Sequence, residues 1–342
     1  MDVRVLKFLN RQSKNLEKIL KNYQKIKIVF DRDVDGLMSC LIVLCVLEKL
    51  NKKVEYFSIK VKDLKNFLSK QKNSNCLYIF LDLSIEKEFL AEIKNKKLKC
   101  IWIDHHQLKV FSFKDIFLIN PMLINSSIYL PTSAISYIIF DRIYHIDKLL
   151  FFASIGIVAD KGEKFSENIL KKAEKKFNLK VDDFFEISKK VNSLFIFEKD
   201  IEKYVPKMRN IAFFKSKELN KIYNKAQKIL SKEFKNAIKK HIEIGSFFLY
   251  KIRTKFNIRS TIANMLSQEF KDKIIIVYEI RKNEIIMSLR SNDSKINLLE
   301  IFSKFNINFK SFGGHKSACG AVMSKEEFKK FLKKLKEYGR NK

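Results

Sequence analysis

Short apolar runs alternate with helix-like segments along the first half of this 342-residue chain. Strand-like runs occupy residues 26–30, 54–59, 76–81 and 99–103, and helix-like segments lie between them at 37–50, around residue 64 and at 85–94. Such alternation is typical of the α/β class, in which a parallel sheet is covered by helices on both faces. A further strand at 116–119 and helices at about 133–144 and 148–158 extend the same domain, and the basic segment 1–25 is predicted to be a peripheral helix.

The second half of the chain changes character twice. Residues 163–244 are heavily charged and nearly free of Gly and Pro, which predicts helices, including one long helix at 216–241. Strand-like runs return at 247–252, 273–280 and 285–289, with a helix near 260–270 and a Lys-rich helix at the end. We therefore predict an α/β domain at 1–190, a helical linker at 191–244 and a smaller mixed α/β domain at 245–342.

The net charge of the chain is +31 at neutral pH. A globular protein this basic usually binds a polyanion, and nucleic acid is the first candidate. The alternative interpretation is a Lys-rich composition whose charge is simply solvated. The charge therefore favours a nucleic-acid or nucleotide ligand without establishing one.

The five cysteines form no CxxC pair and mostly lie within apolar runs. We expect them to be buried thiols in a reducing compartment rather than disulfides or zinc ligands. The N-terminal residues show no signal-peptide pattern, and the longest apolar segment, 37–47, is too short to span a bilayer. A cytoplasmic protein without a membrane partner is the resulting expectation.

Three of the strand-like runs end directly in acidic or imidazole side chains. The first is followed by Asp31-x-Asp33-x-Asp35-Gly36, the third by Asp82 and the fourth by Asp104-His105-His106. Because the carboxyl ends of parallel strands meet at one edge of a sheet, we expect these side chains to lie together. Crowded carboxylates repel one another, and a divalent cation is the usual relief. The sequence therefore predicts a metal site at this edge.

Each of these pieces has an ordinary alternative when it is taken alone. Asp is common at helix N-termini and in turns, so Asp82 or Asp160 by itself indicates little. Three Asp around Gly36 are more than one helix cap needs, and Gly36 permits a tight turn there. Adjacent histidines after a buried strand are rarer, although one of them could be a core residue that only forms a hydrogen bond.

Together and in this order, the residues resemble the motifs of the DHH phosphoesterase family. That family's four N-terminal motifs are similar to Asp31/Asp33/Asp35, Asp82, Asp104-His105-His106 and Asp160. The glycine-rich loop of its smaller DHHA1 domain resembles residues 312–320, with Phe312 where the first of three glycines is usual. Residues 288–291 and 259–264 resemble two further stretches of that domain.

This resemblance implies a DHH catalytic domain at 1–190 and a DHHA1 substrate-binding domain at 245–342. The triple-Asp first motif is similar to that of the RecJ branch of single-strand exonucleases, and the chain looks like the compact archaeal type. The resemblance also implies that two Mn²⁺ or Mg²⁺ ions are held by Asp31, Asp33, Asp82, His105 and Asp160. Oxygen ligands with one imidazole suit these metals better than a structural zinc.

The same resemblance implies roles for further residues. As catalytic residues, Asp104 orients a histidine, His106 faces the scissile phosphate and Asp35 supports the first-motif turn. The substrate-binding residues implied, through backbone N–H groups and charged side chains, are Arg259, Arg290, Ser291, Gly313, Gly314 and His315.

The leading hypothesis is a metal-dependent phosphodiesterase, an exonuclease that hydrolyses single-stranded DNA or RNA by a two-metal mechanism. One alternative is a nanoRNase or cyclic-dinucleotide phosphodiesterase that acts on very short oligonucleotides. Another is a non-catalytic replication scaffold, which would be expected to lose metal ligands. Replication or repair proteins are possible partners, and the oligomeric state is left open.

Overall fold

The computed structural model describes residues 2–72, 75–108, 116–198 and 200–340. The chain divides into two compact units, residues 1–223 and residues 224–342. The division falls inside a long helix at Lys217–Lys240, which matches the predicted helix to within a residue at each end. Each unit has its own sheet and its own core, and each is described by itself.

Five strands form the sheet of the first unit: β1 (Lys25–Asp31), β2 (Lys53–Ile59), β3 (Cys76–Leu81), β4 (Lys99–Ile103) and β5 (Phe117–Ile119). Their order is β2-β1-β3-β4-β5, and every pairing is parallel. This confirms the parallel sheet that the alternating pattern predicted. In this order β1 lies where the direction of the crossovers reverses, which is the usual place of ligand binding in open α/β sheets.

The helices of this unit are α1 (Val3–Lys21), α2 (Val34–Lys49), α3 (Val61–Ser69), α4 (Lys87–Lys96), α5 (Thr132–Ile143), α6 (Lys148–Ala159), α7 (Glu163–Phe177), α8 (Val181–Phe197) and α9 (Val205–Met208). The next helix, α10 (Lys217–Lys240), runs on into the second unit. Short 3₁₀ turns occur at Pro121–Leu123, Ile201–Tyr204 and Ile211–Lys215. No helix within the described ranges is both long and apolar enough to cross a membrane.

Side chains of the strands alternate between two cores, because successive residues of a strand point to opposite faces. In β3, Leu77 and Ile79 belong to the large core that includes α2, α5 and α6. Tyr78 and Phe80 belong to a smaller core on the other face, with α3 and α4. Helices therefore cover both faces of the sheet, as predicted.

The basic segment 1–25 contains helix α1, which packs one face against α5 and leaves its charged face exposed. Its apolar residues recur at helical spacing, so Val5, Leu9 and Leu16 lie on one face and are fully buried. The Ser13 hydroxyl also donates a 2.8 Å hydrogen bond to the Ile139 carbonyl of α5. The charged residues occupy the opposite face, so the composition of the segment as a whole does not reveal its buried apolar face.

The second unit contains a six-stranded mixed sheet in the order β10-β11-β9-β8-β7-β6. The strands are β6 (Ile242–Ile244), β7 (Phe247–Lys251), β8 (Ile274–Arg281), β9 (Glu284–Ser291), β10 (Ser311–His315) and β11 (Ala318–Ser324). The β7–β8 pairing is parallel and the others are antiparallel. Three helices follow or separate these strands, α11 (Arg259–Glu269), α12 (Leu298–Ser303) and α13 (Lys325–Arg340). The mixed α/β character of the C-terminal region is confirmed.

The glycine-rich motif forms the hairpin of β10 and β11 rather than an irregular loop, which corrects the sequence expectation. Residues of β10 pair with β11, including Gly313 with Gly320 and Gly314 with Cys319. Gly314 has a φ of 137°, and a Cβ at this position would lie 2.4 Å from the Ala318 carbonyl oxygen. Glycines usually weaken a strand, but at Gly314 the positive φ and the close approach of Ala318 leave no room for a side chain.

Candidate metal centre

The predicted site residues of the first unit lie at the carboxyl ends of strands and at the ends of helices. Asp31 is the last residue of β1, and Asp33 is the N-cap of α2. Asp82 follows β3 directly, Asp104 follows β4 directly, and Asp160 is the C-cap of α6. The parallel order of the strands therefore brings the ends of β1, β3 and β4 to one edge.

The first motif builds the turn between β1 and α2. The Asp33 side chain accepts a 2.9 Å hydrogen bond from the Gly36 N–H, as an N-cap residue does. A Cβ on Gly36 would lie 2.4 Å from the Asp31 carbonyl oxygen, so the turn admits only glycine. The side chain of Asp82 is close enough to lower the pKa of Asp33, although burial and the charge of Asp35 raise this pKa more.

Asp35 connects two helices across the site. Its side chain is 2% exposed, and its two carboxylate oxygens accept hydrogen bonds from the Thr132 N–H at 2.7 Å and the Ser133 N–H at 3.1 Å. These are the first amides of α5, whose N-terminus favours a negative charge. Asp35 therefore ties α2 to α5 directly beneath the metal-ligand candidates.

Asp82 is held in an unusual backbone conformation. Its φ is 62°, in the left-handed region that Asp tolerates better than most residues. The Asp82 N–H donates to the Ile103 carbonyl at 3.0 Å, and one carboxylate oxygen accepts from the Thr132 hydroxyl at 2.9 Å. Such backbone strain collects at functional sites, where the surrounding structure enforces it.

His105 occupies the middle of the cluster. Its Nε2 lies 3.3 Å from the nearer Asp82 oxygen and 3.5 Å from the nearer Asp160 oxygen. Its Nδ1 is buried without a hydrogen-bond partner among the described residues. Asp160 also accepts a 2.5 Å hydrogen bond from the Tyr129 hydroxyl, and the Tyr129 ring centroid lies 4.9 Å from that of His105.

Asp104 contacts His106 rather than His105. One Asp104 oxygen lies 2.7 Å from His106 Nδ1, and the other accepts from the His106 N–H at 3.2 Å. Burial alone would lower the pKa of His106, but the hydrogen bond and the charge of Asp104, with Asp160 and Asp31 nearby, raise this pKa to about 9. In the metal-free site, Asp104 therefore favours the protonated form of His106.

Burial raises the pKa of every carboxyl group in the cluster whose shift is resolved. The pKa of Asp31 is raised to about 7, first by burial and then by the charge of Asp33. Burial and the charge of Asp160 raise the pKa of Asp35 to about 6. The pKa values of Asp33, Asp82 and Asp160 are also raised, with burial as the largest cause. A divalent cation would offset both the cost of burying these carboxylates and the repulsion between them.

The donor set fits such a cation. Two groups have ligand atoms within 4.8 Å of one another, Asp82 with His105 and His106, and Asp35 with His105 and Asp160. His105 belongs to both, and its unpartnered buried Nδ1 leaves the ring free of a competing hydrogen bond. Oxygen and imidazole donors without thiolate suit Mn²⁺ or Mg²⁺.

The two groups differ in membership from the predicted ligand set. They contain Asp82, His105 and Asp160, which the sequence resemblance named as ligands. They also contain Asp35 and His106, which it named as catalytic, and neither group includes Asp31 or Asp33. Asp82 is nonetheless close enough to Asp33 to lower its pKa, and Asp31 is close enough to His106 to influence its pKa.

Three residues of the site were missed in the sequence. Tyr129 and Thr132 contact Asp160 and Asp82, and Pro131 before Thr132 was the only local sign of a helix start there. Lys60 follows β2 at the same sheet edge. Burial, Arg32 and Lys62 lower the Lys60 pKa, while Asp31 opposes them. In a chain this rich in lysine, nothing distinguishes Lys60 by sequence.

In the second unit, the predicted substrate-binding residues lie around β9 and β10. The Arg290 guanidinium donates to Asn264 Oδ1 at 2.5 Å, to the Ser260 hydroxyl at 2.6 Å and to the carbonyls of Leu289 and Cys319. Arg259 bonds to Glu279 and donates to the Ser288 hydroxyl at 3.1 Å.

The remaining predicted positions of this unit divide by exposure. Ser291 is buried, and its N–H donates to the Ser317 carbonyl at 3.0 Å. Gly313, Gly314 and His315 are exposed on β10, the edge strand of the sheet. Backbone groups on the outer side of an edge strand are available to a ligand.

The fold and the site together define a doubly wound α/β protein with a buried centre of carboxylates and imidazoles. Residues 25–170 match the model of the DHH family, N-terminal domain, and residues 245–341 match the DHHA1 domain. The chain belongs to the family that combines these two domains, as the sequence motifs indicated, and DHH family members are phosphoesterases.

Solved structures show the same fold at low sequence identity. RecJ from Thermus thermophilus in complex with Mn²⁺ has a TM-score of 0.77 and 16% identity, over 98% of this chain and 55% of that chain. Exonuclease RecJ bound to manganese has a TM-score of 0.71 and 16% identity, over 97% and 94%. The pGpG-specific phosphodiesterase PggH from Vibrio cholerae has a TM-score of 0.53 and 12% identity, over 93% and 99%.

Two facts bound this comparison. This chain spans 55% of the length of the Thermus protein, so the likeness concerns only part of that protein. No curated protein matched the sequence.

Proposed function

We propose that this protein is a metal-dependent exonuclease that hydrolyses single-stranded DNA or RNA. The observation that carries the proposal is the convergence of Asp82, His105 and Asp160 at the carboxyl edge of a DHH-family sheet. The net charge of +31 supports a substrate with many phosphates, since each phosphate contact adds affinity.

In this proposal, two Mn²⁺ or Mg²⁺ ions are held by Asp31, Asp33, Asp82, His105 and Asp160. When bound, divalent cations activate water and neutralise the charge that develops on a phosphodiester. Thr132 contacts two acids of the site, since its hydroxyl orients the ligand Asp82 and its N–H holds the positioning residue Asp35. The Tyr129 hydroxyl orients Asp160 in the same way.

His106 contacts the substrate as a cation. Asp104 holds its Nδ1 and keeps the ring protonated at neutral pH, which leaves the Nε2–H to donate to a phosphate oxygen. The proton stays on His106 while Asp104 remains buried and bonded to it. Asp104 is thus a positioning residue for His106, and Asp35 is one for the first-motif turn.

The second unit supplies contacts to the sugar–phosphate backbone. A guanidinium has five N–H donors, and the four hydrogen bonds of Arg290 within the described part of the chain leave one for a phosphate. The exposed Gly313, Gly314 and His315 of β10 offer backbone N–H groups and an imidazole. Arg259 and Ser291 hold the strands that carry these groups.

The test is hydrolysis of end-labelled single strands of graded length, with both sugar types and with Mn²⁺ and Mg²⁺ compared. Stepwise shortening of long strands, abolished by EDTA, is the expected result. Intact long strands under every metal condition would contradict the proposal.

A second candidate is a phosphodiesterase for very short oligonucleotides. The fold similarity to a pGpG-specific phosphodiesterase over 93% of this chain favours including it. The same graded series separates the two, because activity confined to dimers and trimers would select this candidate.

The proposal extends to the cellular setting: a cytoplasmic enzyme of DNA repair with replication or repair proteins as partners. All five cysteines are free and buried, as predicted, which supports a reducing compartment.

A further inference from the structure

Helix α10 carries a stripe of exposed lysines on one face in the second unit. Lys228, Lys232, Lys235 and Lys239 follow one another at intervals of four, three and four residues, and each is exposed. We call these four residues the lysine stripe. At about 1.5 Å of rise per residue, the stripe extends over about 16 Å along the helix.

The lysine stripe has no acidic partner within the described ranges of the chain. Among the residues that the structure describes, none of its four ammonium groups takes part in an ion pair, and the nearby Glu233 instead accepts a 2.6 Å hydrogen bond from the Tyr250 hydroxyl. Like charges one turn apart destabilise a helix. Their alignment therefore calls for a ligand that supplies negative charge.

In other helices of this basic protein, some lysines form ion pairs with glutamates of the same helix. Lys171 pairs with Glu167 at 2.6 Å, Lys304 with Glu300 at 2.8 Å, and Lys330 with Glu327 at 2.6 Å. The charges of these three lysines are balanced by acids of the same helix, whereas no acid in the described part of the chain forms an ion pair with the stripe lysines.

The side chains of the stripe border a shallow, open depression on the surface of α10. Three stripe lysines, Lys228, Lys232 and Lys235, line it together with Gln227 and Ser231. Polar and cationic groups are therefore available there to an extended polyanion.

The apolar face of α10 argues against a lipid surface. Leu230 and Ala237 are buried within the protein, so this face cannot enter a bilayer, and Ile238 is a single residue with 38% exposure. A linear array of flexible cations suits a linear array of phosphates, and single-strand sites begin at about four nucleotides.

We infer that the lysine stripe is an auxiliary binding surface for the sugar–phosphate backbone of single-stranded nucleic acid. This inference rests on the proposed nuclease function for the choice of ligand. The stripe adds affinity for long strands in proportion to the number of phosphates that it contacts.

The test uses the full chain in EDTA, so that binding is measured without hydrolysis. The variant Lys228→Gln/Lys232→Gln/Lys235→Gln removes three charges and keeps good helix formers. The probe is a labelled oligothymidylate of about 20 nucleotides, followed by fluorescence anisotropy between about 50 and 200 mM salt. We expect binding at least about fivefold weaker and a log–log salt slope smaller by about 2.

A matched control exists on α13. Lys329, Lys333 and Lys336 are exposed at the same spacing, but Glu326 and Glu337 lie within a turn of them. Their replacement by Gln removes the same charge and should leave binding close to that of the unaltered chain. The triple Lys→Arg variant of the stripe should also retain binding, and circular dichroism checks that each variant is folded.

Three results would overturn the inference: unchanged binding by the stripe variant, equal losses in the α10 and α13 variants, or stripe-dependent binding only to phosphatidylglycerol vesicles. The proposed function fails separately. If the unaltered chain does not cleave strands with Mn²⁺ or Mg²⁺ but binds them through the stripe, the inference stands and the nuclease assignment does not.

Discussion

The two units hold their buried charges in different ways. In the first, Asp33, Asp82 and Asp160 lie close together, and burial raises the pKa of each. In the second, Arg259 is paired with Glu279 and also donates a hydrogen bond to the Ser288 hydroxyl. The second arrangement is balanced by the protein itself, whereas the first is balanced only when protons or a cation are added.

This difference separates a structural charge pair from a site. A buried pair with good hydrogen bonds needs no ligand, and breaking it costs stability. A crowd of acids around His105 costs stability in the absence of a ligand, so its retention indicates a function. The predictions below test this contrast, beginning with the largest expected effect.

Replacing Asp82 with Asn removes a central charge and keeps a residue that tolerates the left-handed backbone. We expect hydrolysis to fall by about a thousandfold or more, because a metal ligand is lost. In EDTA, the melting temperature of this variant should be no lower than that of the unaltered chain, since a buried charge has been removed. Initial rates with Mn²⁺ and melting in EDTA measure both effects, and unchanged cleavage would favour the scaffold alternative.

Replacing Glu279 with Gln should destabilise the second unit by about 3 kcal/mol, because Arg259 remains buried without its partner. The side chains of Arg259 and Glu279 are only 19% and 9% exposed. Urea unfolding followed by circular dichroism checks this, while fluorescence of the single Trp102 reports the first unit. As a control, Arg281→Gln should change little, since Arg281 is 58% exposed. A loss confined to the Trp102 signal would refute the assignment.

Mn²⁺ should stabilise the protein more at pH 8 than at pH 5. The pKa values of Asp31 and Asp35 are raised to about 7 and about 6, so the folded metal-free protein binds more protons than the unfolded chain does. Their contribution to stability is therefore retained near pH 4 and lost as the pH rises towards 7.

A cation replaces the missing protons, and at a hundred times its Kd it contributes about 2.7 kcal/mol. Melting temperatures with EDTA and with Mn²⁺ at the two pH values measure the difference. An equal gain at both would show that the acids do not bind the metal, and the Asp82→Asn variant should show a reduced gain.

The smallest expected effect concerns His106. Replacing Asp104 with Asn should lower the pKa of His106 from about 9 by at least about one unit, because the charged hydrogen-bond partner is lost. NMR titration of the metal-free protein measures it. Asp141→Asn, which alters the similar but exposed contact of His145, should leave the pKa of His106 unchanged. A His106 pKa that stays near 9 in the Asp104→Asn variant would show that Asp104 does not cause the raised pKa.

Much of the first unit could be predicted from local pattern. Short continuous apolar runs specify strands here because both faces of the sheet are buried against a core, and Asp82 and Asp104 stand where those strands end. The contacts of Asp160 could not be predicted, since Tyr129 lies 31 residues away in the chain. Thr132 is 97 residues from Asp35, and no local periodicity connects them.

The glycine motif illustrates the opposite case. Glycine is a strand breaker by local propensity, so residues 312–320 were expected to form a loop. Pairing with β11 decided otherwise, because the backbone hydrogen bonds of a hairpin outweigh that weak preference. The burial of α1 was likewise hidden by its charged outer face.

The sequence by itself determined the class of fold, the order of the motifs and the donor types of the candidate metal centre. These features depend on residue types and short spacings, which can be read directly from the sequence. Only the tertiary structure decided which acid contacts which histidine, that Asp35 is held by the N-terminus of α5, and that the lysine stripe lacks acidic partners in the described structure. Such pairings depend on distances between elements far apart in sequence, and packing of the whole unit sets those distances.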